Sequence, residues 1–131
     1  MQAIIRYELV INEALRSALM LDTPDEQINE FIRFFGKHFG CDRIYIFEDN
    51  KKEHVTDNTY EWCRQGIESE IDYLQGVDMD IIDWWYKAFD KKENVIIRDV
   101  ETIKNEHVYT YNTLKIQNVK RLVVCPIRYK N

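Results

Sequence analysis

The sequence predicts an α+β domain: an antiparallel sheet with helices on both faces, preceded by an N-terminal helix. Three observations carry this. Two helical stripes open the chain before any strand-like run. A pair of strand-like runs then flanks the polar turn Glu48-Asp49-Asn50-Lys51-Lys52, the pattern of a hairpin. Short β-branched runs beyond it alternate with helical ones, with no repeat or low-complexity segment between them.

Residues 3 to 21 contain no Gly or Pro and read as a helix. Ile4, Tyr7, Ile11, Ala14, Ala18 and Leu21 fall on one stripe at alternating spacings of three and four, about two and a half heptads. Such a seam serves either its own domain or a second copy. Ile5, Leu9, Leu15 and Leu19 line the other flank, and one face against one domain does not bury both sets. A homodimer is therefore expected, with Ile4, Tyr7, Ile11, Ala14 and Ala18 as its helix residues.

Thr23 and Glu26 form a capping box, with Pro24 at the first helical position. The helix they start runs to about His38, with Gly40 as its left-handed terminator. Ile28, Phe31, Ile32, Phe35 and Phe39 make its core stripe. Arg43 to Phe47 reads as a strand with both faces largely apolar, and Glu53 to Trp62 as the returning edge strand. Gly66 and Gly76 bracket a helical stretch, and Ile81 to Phe89 is a further helix with Trp85 on its inner face. Asn94 to Asp99 is a strand, a helical segment follows to about Gln117, and Arg121 to Arg128 is the last strand. The expected organisation is a signalling helix over residues 1–22 and one domain over 23–131.

With 131 residues, 45% of them hydrophobic, the chain is long enough for a real core. Its net charge is −5. Glu61, Glu68, Glu70, Asp72, Asp78 and Asp80 face only Arg64 between positions 61 and 80, a surface that repels nucleic acid and anionic lipid. Neither is expected as a partner. The apolar runs fall far short of the ~20 residues that span a bilayer.

Chemistry-bearing residues are sparse. Cys41, Cys63 and Cys125 are odd in number and form no C-x-x-C, which predicts reduced thiols in a cytoplasm. Glu61 near Cys63 works against a reactive thiolate, and Cys125 sits in an apolar run where a buried structural cysteine is expected. His38, His54 and His107 stand apart from one another. Asp78, Asp80 and Asp83 lack the Gly and the closing Glu of a calcium loop. No metal, cofactor or catalytic constellation is expected.

The order of elements, with N-T-Y-E-W at 58–62, W-W at 84–85 and V-V-C-P-I at 123–127, resembles a GAF domain. The resemblance covers residues from about 24 to 131 and is to the GAF domains attached to bacterial diguanylate cyclases and cyclic-di-GMP phosphodiesterases. It implies a PAS/profilin-like fold and a cytoplasmic, non-catalytic sensory or regulatory input module. Such a module passes ligand or partner state to an output domain such as a diguanylate cyclase through its N-terminal helix. In the family a further strand and a closing helix follow V-x-P-I, so a chain ending at Asn131 implies a fragment. The segment between the second and third strands covers the ligand cavity in GAF domains, which makes Tyr45, Tyr60, Trp62, Trp84 and Trp85 the pocket candidates for a small heteroaromatic ligand. The rival expectation is that these rings fill the cavity in a ligand-free dimerisation module. A third is a thiol-dependent GAF-fold reductase, which needs two sulfurs close to a pocket.

Overall fold

The computed structural model describes residues 2–128, with side chains from residue 6 onward. The chain is α+β. Its elements are α1 (Gln2–Leu19), α2 (Pro24–Phe39), β1 (Arg43–Asn50), β2 (Val55–Cys63), β3 (Val77–Asp78), α3 (Asp83–Asp90), β4 (Val95–Ile97), α4 (Val108–Ile116) and β5 (Leu122–Val124). Single 3-10 segments lie at Ile71–Tyr73 and Val100–Ile103. The strands form a three-stranded sheet in the order β1-β2-β3 and a two-stranded sheet, β4-β5. The chain divides into two compact units, Met1–Asn50 with Thr56–Gly76 and Lys51–Val55 with Val77–Asn131.

In the first unit α2 starts where the sequence places it. Thr23 accepts from the Glu26 amide and the Glu26 carboxylate accepts from Thr23, which satisfies two of the helix's unpaired amides. Gly40 closes the helix in the left-handed conformation (φ 68°), where a Cβ would strain. Ala14 and Ala18 of α1 are buried, and small side chains there let the backbones of α1 and α2 approach closely. Tyr7 of α1 packs on Phe39 of α2 with ring centroids 5.2 Å apart. Ser17 of α1 donates to the Glu30 carboxylate of α2, which also accepts from Arg33 at 2.6 and 2.8 Å.

Gly36 is the tightest point of α2. A Cβ built on it would lie 2.4 Å from two ring carbons of Trp62. The β2 tryptophan therefore lies flat on a helix that is bare at this position. Asn58, almost wholly buried in β2, supplies the polar counterpart. Its amide nitrogen, oriented toward acceptors, donates to the carbonyls of Tyr60 (2.8 Å) and Ile46 (3.2 Å). Its backbone amide bonds Leu74 at 2.9 Å and its carbonyl accepts from Gln75 at 2.8 Å. These bonds hold the segment 66–76, expected as a helix, as an extended loop with one 3-10 turn. Gly66 and Gly76 both sit at positive φ inside or beside it, and side-chain anchors (Glu61 to Ser69 and Glu70, Asp57 to Gly76) replace helical bonds.

In the second unit Val95, Ile97, Val100 and Leu114 form the core, with Trp84, Trp85, Ala88, Phe89, Tyr111, Leu122 and Val124 packed against it. β4 and β5 pair antiparallel, Val95 with Val124 and Ile97 with Leu122. The last strand is shorter than the sequence implies, three residues where eight are expected. Alternation places Val123 and Cys125 outward, so Cys125 is exposed rather than a buried structural cysteine. Among the described residues no helix is long and apolar enough to cross a membrane.

Two outcomes follow from the α2 contacts. An exposed helical Gly→Ala substitution stabilises by about 1 kcal/mol, but Gly36→Ala should lower the urea midpoint, at a cost of about 1–3 kcal/mol for overpacking. Trp62→Leu in the same chain should recover part of that loss. Hydrogen bonds from Arg33 and then Ser17 hold the Glu30 carboxyl at about 2, below its ordinary 4.5. A depressed folded value stabilises fully above the unfolded value, so this contribution is complete above pH 4.5 and is lost as pH falls toward 2. Midpoints measured over that window should fall less steeply for Glu30→Gln than for the native chain.

Candidate functional site

The five pocket candidates fall into two sets. Tyr45, Tyr60 and Trp62 belong to the first unit, Trp84 and Trp85 to the second.

In the first set each ring has a structural neighbour. Trp62 lies on Gly36. The Tyr60 hydroxyl donates to the Asp25 carboxylate at the start of α2. Tyr45 sits edge-on to Phe47 (centroids 5.8 Å apart), and its hydroxyl accepts from Arg43 at 3.1 Å. Burial pushes the Tyr45 phenol up to about 12, although Arg43 opposes the shift. Arg43 also reaches the Glu68 carbonyl at 2.5 Å and lies 4.0 Å from Glu61, both side chains being nearly buried. The sequence shows Glu61 as surface acid; the structure makes it an interior anchor.

The same cluster bears on Cys63. Burial pushes the Cys63 thiol up, with Arg43 opposing and Glu61 reinforcing. Burial also raises Cys41, helped by Asp42. Both shifts disfavour the thiolate that nucleophilic chemistry needs.

In the second set α3 carries both tryptophans. The helix is short because Lys92 adopts a left-handed backbone (φ 62°) and returns the Glu93 amide to the Ala88 carbonyl at 3.0 Å. Trp84 stacks on His107, centroids 3.9 Å apart and planes within 9°, and donates its indole N–H to the buried Thr110 hydroxyl at 3.1 Å. Trp85 stands edge-on to Trp84 at 6.1 Å and packs on the core. Trp85, expected on the inner face, packs there together with Trp84: both rings are half-buried against the core. They differ in their polar ends. The Trp85 Nε1–H is buried with no acceptor among the described residues. An unsatisfied buried donor costs about 1–3 kcal/mol. His107 is the residue sequence reasoning missed here. It lies at the start of α4, 23 positions from Trp84, and no periodic signal links the two.

The dimer-helix candidates are also placed. Ala14 and Ala18 are buried, Tyr7 packs on Phe39 and Ile11 is partly exposed, while the side chain of Ile4 lies outside the described residues. The buried members serve the packing of α1 on α2.

His54, read as isolated, adopts a left-handed backbone (φ 57°) and its ring nitrogen meets Asp80 at 2.8 Å. One ligand atom each from His54, Asp78 and Asp80 lie within 4.8 Å of one another, all on exposed residues. Asp83, the third aspartate of the D-x-D-x-x-D run, pairs instead with Lys87 at 3.0 Å. No family model matches the chain, and no curated protein matches it.

Thr110→Val removes the acceptor of Trp84 at nearly constant volume and should destabilise by about 1–3 kcal/mol. Trp85→Ala should cost about 3 kcal/mol, the low end for a truncated core tryptophan. Chemical denaturation checks both; a Trp85→Ala midpoint equal to that of an exposed substitution such as Lys87→Ala would remove Trp85 from the core.

Proposed function

We propose that this chain is a sensory or regulatory input module of a bacterial cytoplasmic signalling protein, GAF-like and without catalysis of its own. The observation that carries this reading is the Trp85 indole N–H. A core built for packing alone places Phe or Leu at such a position, or gives the N–H an acceptor as Trp84 has. A buried donor on a ring that stands edge-on to Trp84 favours a small planar ligand that offers a hydrogen-bond acceptor. The output element in this reading is α1, which passes ligand state to a domain such as a diguanylate cyclase.

A specific contact favours the rival reading, a dimerisation module with no ligand. Trp62, one of the expected pocket residues, is committed to Gly36 of α2 and has the surroundings of a filler. The two readings make opposite claims about the second unit, where the orphan donor lies.

The test is a thermal-shift and tryptophan-fluorescence screen of the whole chain against planar heteroaromatic compounds bearing ring or carbonyl acceptors, nucleobases included. A ligand that raises the midpoint of the native chain, and fails to do so for folded Trp85→Phe, supports the sensor. A set in which nothing shifts the native midpoint favours the ligand-free module. Turnover of cyclic-di-GMP, GTP or methionine sulfoxide by the chain would overturn both.

A further inference from the structure

α1 has a second apolar side that its own chain leaves open. Leu9, Leu15 and Leu19 are 58%, 46% and 71% exposed. Glu8, Asn12 and Arg16 lie among them and are exposed as well. At about 100° per residue these six positions cover roughly one third of the helix circumference, on the side away from the buried Ala14 and Ala18. Isolated surface leucines need no explanation, but three on one strip of one helix do.

The order of residues on this strip says what covers it. Asn12 is its centre. Glu8 and Arg16 stand four positions to either side, and Leu9 and Leu15 stand three positions to either side. Glu8, Asn12 and Arg16 form one ridge at a spacing of four, with the Leu15–Leu19 ridge on one flank and Leu9 on the other. Ridges of this kind pack side by side when two helices cross at about −50°. If the two helices run in opposite directions, the ridge of one copy reads Glu8-Asn12-Arg16 where its neighbour reads Arg16-Asn12-Glu8. Each carboxylate then lies level with a guanidinium, Asn12 lies level with Asn12, whose amide both donates and accepts, and Leu9 lies level with Leu15. In a parallel pair the same ridge sets Glu8 against Glu8 and Arg16 against Arg16, two like-charge contacts. Arg16 already pairs within its helix with Glu13 at 3.4 Å, an exposed contact of little weight that leaves its other donors available.

We infer that the outer face of α1 is a docking surface for a second copy of this chain, in an antiparallel two-fold pair centred on Asn12. The inference deepens the regulatory reading, because it names the partner of the helix that reading uses as output. It differs from the expectation drawn from the heptad stripe. The stripe with Ala14 and Ala18 goes to α2, and the surface between copies is the opposite one.

Sedimentation equilibrium on the whole chain from about 1 to about 200 μM tests it. The native chain should dimerise. Glu8→Arg and Arg16→Glu should each weaken the dimer roughly tenfold or more, since each places like charges at two symmetric contacts. The double variant Glu8→Arg with Arg16→Glu should return to within a few-fold of native, because the swap restores both pairs. Leu15→Lys, on an exposed site and touching neither charge, should also dissociate the dimer; circular dichroism and the thermal midpoint verify that each variant is folded. A native chain that stays monomeric throughout overturns the inference. So does a dimer that single reversals leave unchanged, which is the result for a parallel helix pair or for association through a strand edge, or a double variant that does not recover. A monomer that still binds a ligand in the screen above removes the dimer and leaves the regulatory reading standing.

Discussion

The first unit is organised around the contact between Gly36 and Trp62. Glycine in the middle of a helix is costly, about 1 kcal/mol relative to alanine, and its presence in α2 needs a reason. The reason is the ring of Trp62, so close that no Cβ fits beneath it. The contact fixes which face of α2 meets β2. Ile32, four positions earlier, shares that face and is buried, while Glu30, about 120° round the helix, is left for the side that meets α1. Tyr60, two residues before Trp62 on the same strand, reaches the N-terminal turn of α2 at Asp25. One strand thereby grips the helix at its start and in its last turn.

The interiors of the two units differ in chemistry. The first is held by partnered polar groups: Asn58 with the carbonyls of Ile46 and Tyr60, Glu61 with the Ser69 hydroxyl and the amide of Glu70. Such groups add little net stability, but each excludes alternatives in which it would be buried without a partner. The segment 66–76 illustrates the effect. Its composition permits a helix, yet Glu61, Asn58 and Asp57 together satisfy its backbone in an open form. The second unit is held by apolar packing, and Trp85 keeps an indole N–H that the packing does not satisfy. Local disagreement between polarity and environment marks a functional position more often than a structural one, since a purely structural core gains by removing it.

How much of this was legible in the sequence depended on the range of the interaction. Thr23, Pro24, Glu26 and Gly40 act within one helical turn of themselves, and the boundaries of α2 were readable from them. The hairpin strands were legible for the same reason, through alternation and a polar turn, but β2, expected at an edge, lies between β1 and β3. The α+β class followed from the order of these pieces, whereas the GAF family is an expectation carried by short motifs. The 66–76 loop was misread because its determinants lie on β2, at sequence distances that no periodicity reports. His54 was read as isolated because its ring meets Asp80 across 26 positions. The stacking of His107 on Trp84 was hidden in the same way. For α1 the two apolar faces were visible, but not which one the chain uses. Burial of Ala14 and Ala18 decides that, and small residues are weak signals in a hydrophobicity pattern.

That choice of face bears on how α1 can act. A helix of 18 residues is marginal in water by propensity alone and depends on tertiary contact. Among the described side chains of α1 the buried hydrophobic ones are two alanines, which remove little apolar area from water. The contact with α2 is supplemented by the Tyr7–Phe39 ring pair and the Ser17–Glu30 hydrogen bond. The larger side chains of α1, Leu9, Leu15 and Leu19, keep about half or more of their surface in water. Whatever covers them stabilises the helical, docked form of α1 by RT ln(1 + L/Kd), L being its free concentration, so the gain grows with the logarithm of that concentration. By the same linkage, any event that loosens α1 from α2 weakens the outer contact. A helix bound modestly on one side and open on the other is thus poised between two sets of contacts. The Ser17–Glu30 bond, the polar fastening that spans α1 and α2, is where a small local change would tip that balance.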